Sequence, residues 1–256
     1  RVEQFPSDMT SIPPPAPDVA HPGLQLPATA NFGRRAGQFV EFLLKDGSRR
    51  SYSMANAPHP AKDPGVNGIE LHIRHMPGGL FTDHVFTAMK EKEILRMEGP
   101  LGTFFVREDS ERPIVLLASG TGFAPIKAII EHLRFKHNTR PVALYWGCRS
   151  RNDLYLHDWA QAQADELPWL SYVPVLSHAK PEDGWTGRQG LVHLAVLEDL
   201  PDLSGHEVYA CGAPIMVESA KRDFVAQAGL PEDYFYADAF TSEADKHGQS
   251  VPASQA

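Results

Sequence analysis

Cysteine is nearly absent from this chain of 256 residues: there are two, Cys148 and Cys211. Two isolated thiols build neither a disulfide framework nor a zinc site, and a reducing cytoplasm is the expected setting. Excess positive charge is lacking too. Against 32 acidic residues stand 24 lysines and arginines, a net charge of −8 with no basic stripe, which argues against a general nucleic-acid binder. No apolar run approaches membrane-spanning length, no signal-peptide pattern opens the chain, and no internal repeat divides it. The first residue is Arg1 rather than methionine, as in a fragment. The length suffices for two modest domains with a substantial core.

What is present concentrates in one stretch, Pro113 to Lys127. Ile114 to Ala118 is a continuous apolar run, suited to a strand buried on both faces. Ser119-Gly120-Thr121-Gly122 breaks it with residues that tolerate a tight turn and let a ligand approach the backbone. Pro125 suits the first turn of a helix, and Ile126, Ile129, Ile130 and Leu133 then form one helical stripe. Strand, glycine turn and helix start together present N–H groups and a positive dipole end to a phosphate. Taken alone, the stretch also reads as an ordinary strand-to-helix turn. Pro125 stands where the common dinucleotide fingerprint has its third glycine.

Residues 1–18, with Pro13-Pro14-Pro15, read as a linker or lead-in segment. A first strand is expected within Val19 to Leu26, weakened by Pro22-Gly23 into an edge strand or a bulge. Phe39 to Leu44 and Arg49 to Met54 form a hairpin around Lys45-Asp46-Gly47-Ser48. Ile69 to Met76 alternates with period two, and a short helix capped by Thr82 or Asp83 carries Val85, Phe86 and Met89. Glu93–Met97 and Gly102–Val106 read as further strands. About five or six antiparallel strands with one helix predict a small barrel over residues 19–107. After Pro113 strands and helices alternate, which predicts an α/β parallel sheet over 113–240. Its strands are Ile114–Ala118, Val142–Trp146, Leu170–Leu176, Glu207–Cys211 and Tyr234–Ala239. Helices are expected at Pro125–Phe135, Leu154–Ala164, Leu191–Leu197 and Pro214–Gln227. Residues 241–256 read as a mobile tail. In such sheets ligands sit at the carboxyl ends of the strands, where Ser119–Gly122, Gly147-Cys148 and Cys211-Gly212 fall.

In the barrel half, Arg50-Ser51-Tyr52-Ser53-Met54 is the informative run. Arg50 offers a planar cationic fork for a pyrophosphate, Tyr52 a flat ring able to stack on a flavin, and Ser53 a hydroxyl for a ring nitrogen. The same alternation also suits a plain half-buried strand. Arg-x-Tyr-Ser at 50–53, Gly-x-x-Thr at 79–82, Gly-Thr-Gly-x-x-Pro at 120–125 and Cys-Gly-x-Pro at 211–214 occur in one order. That set resembles the ferredoxin–NADP reductase superfamily, an FAD-binding barrel followed by a nicotinamide-nucleotide domain. Within it the chain is similar to reductases of bacterial oxygenases and of the CDP-6-deoxy-3,4-glucoseen type.

The resemblance implies that Arg50 and the helix start Gly79-Leu80-Phe81-Thr82 hold the FAD pyrophosphate, with Tyr52, Ser53 and Met54 at the isoalloxazine. His72, Ile73 and Arg74 match a strand lining the ribityl and phosphate region. Gly120, Thr121, Gly122 and Pro125 match the coenzyme pyrophosphate loop. Cys211, with Gly212 and Pro214, matches the place beside the nicotinamide, and Phe240 the aromatic that covers the flavin until nicotinamide displaces it. Arg149 and Asp153 should face the adenine-side ribose, where a carboxylate favours NADH over NADPH. No metal is implied: His72, His75 and His84 lack both a cysteine and His-Glu-x-x-His spacing.

The expected enzyme is an FAD-dependent NAD(P)H oxidoreductase. Hydride would pass from nicotinamide C4 to flavin N5, and single electrons would go on to an iron–sulfur partner. Many relatives carry a plant-type [2Fe–2S] domain with C-x₄-C-x₂-C spacing, which two cysteines do not supply. The Pro-rich start would suit a linker to a missing ferredoxin domain. Two rivals share the motifs: a flavin reductase with a diffusible acceptor, and a non-catalytic electron-relay subunit, against which the intact nicotinamide loop argues. No nucleic acid or membrane is expected as a partner.

Overall fold

A computed structural model of the chain describes residues 3–11, 18–27, 32–59 and 68–241. Pro13-Pro14-Pro15 and the tail beyond Thr241 lie outside the described residues. The first half comprises β1 (Glu3–Ser11), β2 (Val19–Ala20), β3 (Gly23–Gln25), β4 (Phe39–Leu43), β5 (Arg49–Ser53), β6 (Gly68–Glu70), β7 (Ile73–Arg74), α1 (Leu80–Thr87) and β8 (Ile94–Leu101). Six of these strands form an antiparallel sheet in the order β5-β4-β8-β1-β3-β6, and β2 pairs with β7. The outer strands β5 and β6 meet at a Met54–Leu71 bridge, reinforced by the Ala55 N–H donating to the Glu70 carbonyl at 2.8 Å. The sheet therefore closes around Leu24, Val40, Phe42, Met54, Ile69 and Met97, all buried.

Several expectations need correction here. Residues 3–11 are a strand in the middle of the sheet, paired with both β3 and β8, and not part of a linker. Pro6 and the polar neighbours Ser7 and Asp8 give no alternating apolar signal, and main-chain pairing does not require one. The strand expected in Val19–Leu26 is two strands, because Pro22-Gly23 passes the chain from the β2–β7 pair to the larger sheet. The run Ile69–Met76 divides at Leu71-His72, where the Leu71 N–H turns to the Pro22 carbonyl at 3.1 Å. Gly102–Val106 is irregular: the Arg107 guanidinium donates to the carbonyls of Thr103 and Phe105, which a ladder would otherwise occupy. Neither Thr82 nor Asp83 caps α1, whose N-cap is Gly79. Instead both brace the preceding turn, Thr82 through Met76 and Asp83 through the Gly78 N–H.

The second half follows the expected grammar. It contains β9 (Ile114–Ser119), α2 (Phe123–Phe135), β10 (Val142–Cys148), α3 (His157–Glu166), β11 (Leu170–Leu176), β12 (Arg188–Gln189), α4 (Val192–Asp199), β13 (Glu207–Gly212), α5 (Pro214–Ala228) and β14 (Phe235–Ala239). Only the two-residue β12 was not expected. All pairings are parallel, in the order β12-β11-β10-β9-β13-β14. Helices α2 and α3 cover one face and α4 and α5 the other, so β9 is enclosed on both sides. Burying each such Leu or Ile side chain contributes about 1.5–3 kcal/mol, and the α2 stripe Ile126, Ile129, Ile130 and Leu133 is buried throughout. From β9 the chain runs first to β10 and later returns to β13 on the opposite side. That reversal opens a crevice at the carboxyl ends of β9 and β13. No helix among the described residues is long and apolar enough to cross a membrane.

Candidate active site at the domain junction

The crevice is built mainly from absent side chains. Gly122 lies so close to β13 that a Cβ there would sit 2.2 Å from the Cys211 carbonyl oxygen. Gly212, at φ +138°, would place a Cβ 2.2 Å from Ser119 Oγ. The two strand ends thus interlock, and Ser119 Oγ accepts the Ala213 N–H at 2.9 Å. By contrast, nothing lies within 4 Å of the missing Cβ of Gly120, so the turn's main chain is open to a ligand. α2 begins at Phe123, which puts Pro125 in its first turn. An open cavity of about 610 Å³ lies against these ends, and Gly120, Thr121, Arg149, Asp153, Arg74 and Phe240 contribute to its wall.

Cys211 is fully buried and packs behind this wall. Burial first, then the Asp238 carboxylate, pushes its thiol well above the ordinary value, so it is a neutral group and not a nucleophile. Pro214 opens α5 at its first position, as the missing N–H of proline allows. Phe240 is held by its N–H donating to the Gly212 carbonyl at 2.8 Å. Asp153 accepts from the Ser150 N–H and hydroxyl, each at 2.9 Å, and faces Arg74 Nη1 at 3.4 Å. Although burial works the other way, these bonds hold its carboxyl below the ordinary range.

On the barrel side, Arg50, Tyr52 and Ser53 follow one another to the end of β5. The Tyr52 ring lies 5.5 Å from Phe81 and 6.1 Å from Phe42, and burial pushes its hydroxyl up to about 12. Gly79 adjoins Thr82, whose Oγ1 would be 2.8 Å from an added Cβ, while Leu80 is exposed at the start of α1. Met54, Ile73 and Phe81 turn their side chains into the barrel core. His72 is enclosed as well: one ring nitrogen shares a hydrogen bond with Glu70 and the other with the Tyr155 hydroxyl, both at 2.8 Å. Arg74 reaches toward the second domain, paired with Asp18 and Asp153, and contributes to the cavity wall. The rings of His75 and His84 go to separate carboxylates, Asp83 and Glu93. His21, Glu70 and His72 place ligating atoms within 4.8 Å of one another, but both Glu70 oxygens are engaged and the Lys127 ammonium beside them opposes a cation.

The junction also contains residues the sequence reading passed over. Asp238 on β14 hydrogen-bonds with Ser53, and burial pushes its carboxyl up to about 6 against that bond. Strand alternation was a usable signal, since it places Tyr236, Asp238 and Phe240 on one side. His193, on the cavity wall, lies 3.2 Å from the Asp223 carboxylate.

Comparison with known proteins agrees with this division. Residues 11–106 match the oxidoreductase FAD-binding domain and 116–222 the oxidoreductase NAD-binding domain. The chain is 46% identical, over 92% of its length and 68% of the other, to the CDP-6-deoxy-L-threo-D-glycero-4-hexulose-3-dehydrase reductase of Yersinia pseudotuberculosis. It is 36% identical to terephthalate 1,2-dioxygenase reductase component 1 of a Comamonas species, over 91% of this chain and 67% of that one. The crystal structure of the Amycolatopsis cytochrome P450 reductase GcoB is similar with a TM-score of 0.83 and 31% identity, covering 94% of this chain and 71% of that chain. The chain spans about two thirds of the length of these curated relatives. With both binding domains, their order and the junction between them accounted for, the chain belongs to the ferredoxin-reductase-like family and is an FAD-dependent NAD(P)H oxidoreductase.

Proposed function

We propose that this chain takes hydride from NADH and delivers single electrons to an iron–sulfur protein or domain. The observation that carries the reading is the meeting of β5 with β14: Ser53, from the barrel, bonds Asp238, which pairs in register with Cys211 on β13. FAD, when bound, supplies the chemistry, accepting a hydride and releasing electrons one at a time. Arg50 and the start of α1 at Gly79–Thr82 hold its pyrophosphate, and Tyr52 supplies a flat apolar wall. The main chain of Gly120–Gly122 holds the pyrophosphate of the nicotinamide coenzyme. Cys211, buried behind the cavity wall, and Gly212 keep the end of β13 compact so that the coenzyme can approach, and Phe240 covers the opening and excludes water. Asp238, whose carboxyl burial raises to about 6, accepts a hydrogen bond from the Ser53 hydroxyl, is mostly ionised at neutral pH and takes up a proton as the pH falls through 6. Two buried free thiols are in keeping with a reducing cytoplasm as the setting.

Anaerobic titration tests this directly. The purified chain should be yellow, and NADH should bleach its flavin absorption stoichiometrically. A flavin spectrum that NADH leaves unchanged overturns the proposal. An added plant-type iron–sulfur protein should then be reduced faster than free flavin, and the reverse order favours a diffusible acceptor. Coenzyme choice follows from Asp153, whose negative charge on the cavity wall repels a 2′-phosphate more than Arg149 attracts it. We expect kcat/KM to favour NADH about tenfold, or roughly 1.4 kcal/mol, and Asp153→Ser to reduce that preference. Equal efficiencies in the parent chain remove Asp153 from that role.

A further inference from the structure

Lys127 is a lysine almost without solvent exposure, 6%, in the second turn of α2, the helix that follows the Gly120–Gly122 turn. All three donors of its ammonium are taken. Nζ donates to the Ala55 carbonyl at 3.2 Å and to Glu70 Oε2 at 3.1 Å, both in the barrel, and to Glu131 Oε1 at 2.7 Å on its own helix. The second oxygen of Glu131 accepts the barrel's Ala57 N–H at 2.9 Å. The second oxygen of Glu70 holds His72, which in turn meets Tyr155 of the nucleotide domain. Lys127 therefore anchors a network that crosses between the domains at several points. Although burial works against it, the two carboxylates carry its ammonium above the ordinary value.

A buried cation held this way is costly compared with an apolar side chain of similar size, so its contribution is better sought in orientation than in net stability. Lys127 stands five residues beyond Gly122, about 7.5 Å along the helix at 1.5 Å per residue. Whatever fixes Lys127 against Ala55 and Glu70 also fixes the phosphate-binding turn against the end of β5. We propose that Lys127, acting through Glu70, is a positioning residue that sets the approach of the nicotinamide to the flavin. This inference rests on the hydride-transfer function proposed above. Lys127 is not among the residues lining the cavity. Its action is geometric, and such placement matters because reacting atoms must lie about 3–3.5 Å apart.

Two half-reactions separate this role from simple stabilisation. In Lys127→Met, with FAD content and thermal midpoint checked, flavin reduction at saturating NADH should slow by about tenfold to a hundredfold in rapid mixing. The apparent dissociation constant for NADH should stay near the parent value. Oxidation of the dithionite-reduced protein by ferricyanide should be unchanged, because electron exit does not use the nicotinamide domain's alignment. Lys127→Arg, which keeps a cation, should recover part of the rate, and Glu70→Gln should lose rate in the same half-reaction. An unchanged reduction rate in the Met variant overturns the proposal, and so does an equal slowing of both half-reactions. Should Lys127→Met fail to fold, Glu70→Gln decides on the same two criteria. A parent chain that NADH does not reduce overturns the function itself, whereas a parent and variant reduced equally fast overturn the positioning role alone.

Discussion

In the proposed function the two domains make their halves of the site by opposite means. The barrel offers side chains, Arg50, Tyr52 and Ser53, from a strand whose surroundings are short and interrupted. Its loops are tied by side chains reaching main chain, as where one Arg34 nitrogen donates to both the Ala57 and Gly68 carbonyls. The parallel sheet offers main chain at the ends of long enclosed strands, where Gly122 and Gly212 have no room for a Cβ. One half is therefore vulnerable to what is removed and the other to what is added.

The largest effect should come from adding a methyl group. Gly122→Ala forces its Cβ to within 2.2 Å of the Cys211 carbonyl, a main-chain atom that moves only with β13. We expect a stability loss on the order of 2–3 kcal/mol, with NADH reduction abolished in whatever remains folded. A normal melting curve and normal reduction would show that the strand ends part more easily than their spacing implies. The barrel calls for the opposite experiment. Arg50→Ala should leave the nucleotide domain intact and weaken flavin retention by about 1.5–3 kcal/mol, the range for a hydrogen bond to a charged group. Full FAD content after exhaustive dialysis would remove Arg50 from the pyrophosphate.

The seam between the halves gives a smaller, pH-dependent effect. Burial pushes His72 down to about 4 from its usual 6.5, despite the Glu70 carboxylate. Glu70 is held down to about 2 from 4.5, as its bonds to His72 and Lys127 outweigh burial. In both cases the unfolded chain takes up the proton first. Stability from His72 is thus complete above about 6.5 and lost as pH falls toward 4, and that from Glu70 is lost between about 4.5 and 2. The thermal midpoint should drop on acidification from pH 7.5 to pH 5, and His72→Gln should flatten that slope. Parallel slopes in the two proteins would show that the seam's titration does not govern acid stability.

The same contrast explains what was legible in the sequence. Ile114–Ala118 could be read because a strand enclosed on both faces must be apolar throughout, and the Gly120–Gly122 turn because its glycines answer to steric demands. The hairpin at Phe39–Ser53 was equally readable, with a turn that supplies its own signals. The strand Glu3–Ser11 was not, because its longer pairing is with β8, about ninety residues away, and carries no local trace. Gly102–Val106 had strand-like residues, but Arg107 captured the carbonyls. In the candidate site, the residues of compact motifs were visible in the sequence, whereas Asp238, Lys127 and Glu70 acquire their meaning from partners in the other domain.

Phe240 follows the last strand of the parallel sheet, and among the described residues that strand, β14, is an edge with β13 as its single neighbour. The hydrogen bonds at the end of an edge strand open at a lower free energy than those of a strand held on both sides. In the proposed function Phe240, as the aromatic cover, would be lifted by fraying a few residues, while the seam at Lys127 stays closed and β9 keeps both its neighbours. On that reading breathing falls to the edge of the sheet and alignment to the helix that covers its face, so that admitting the coenzyme leaves the geometry that receives it undisturbed.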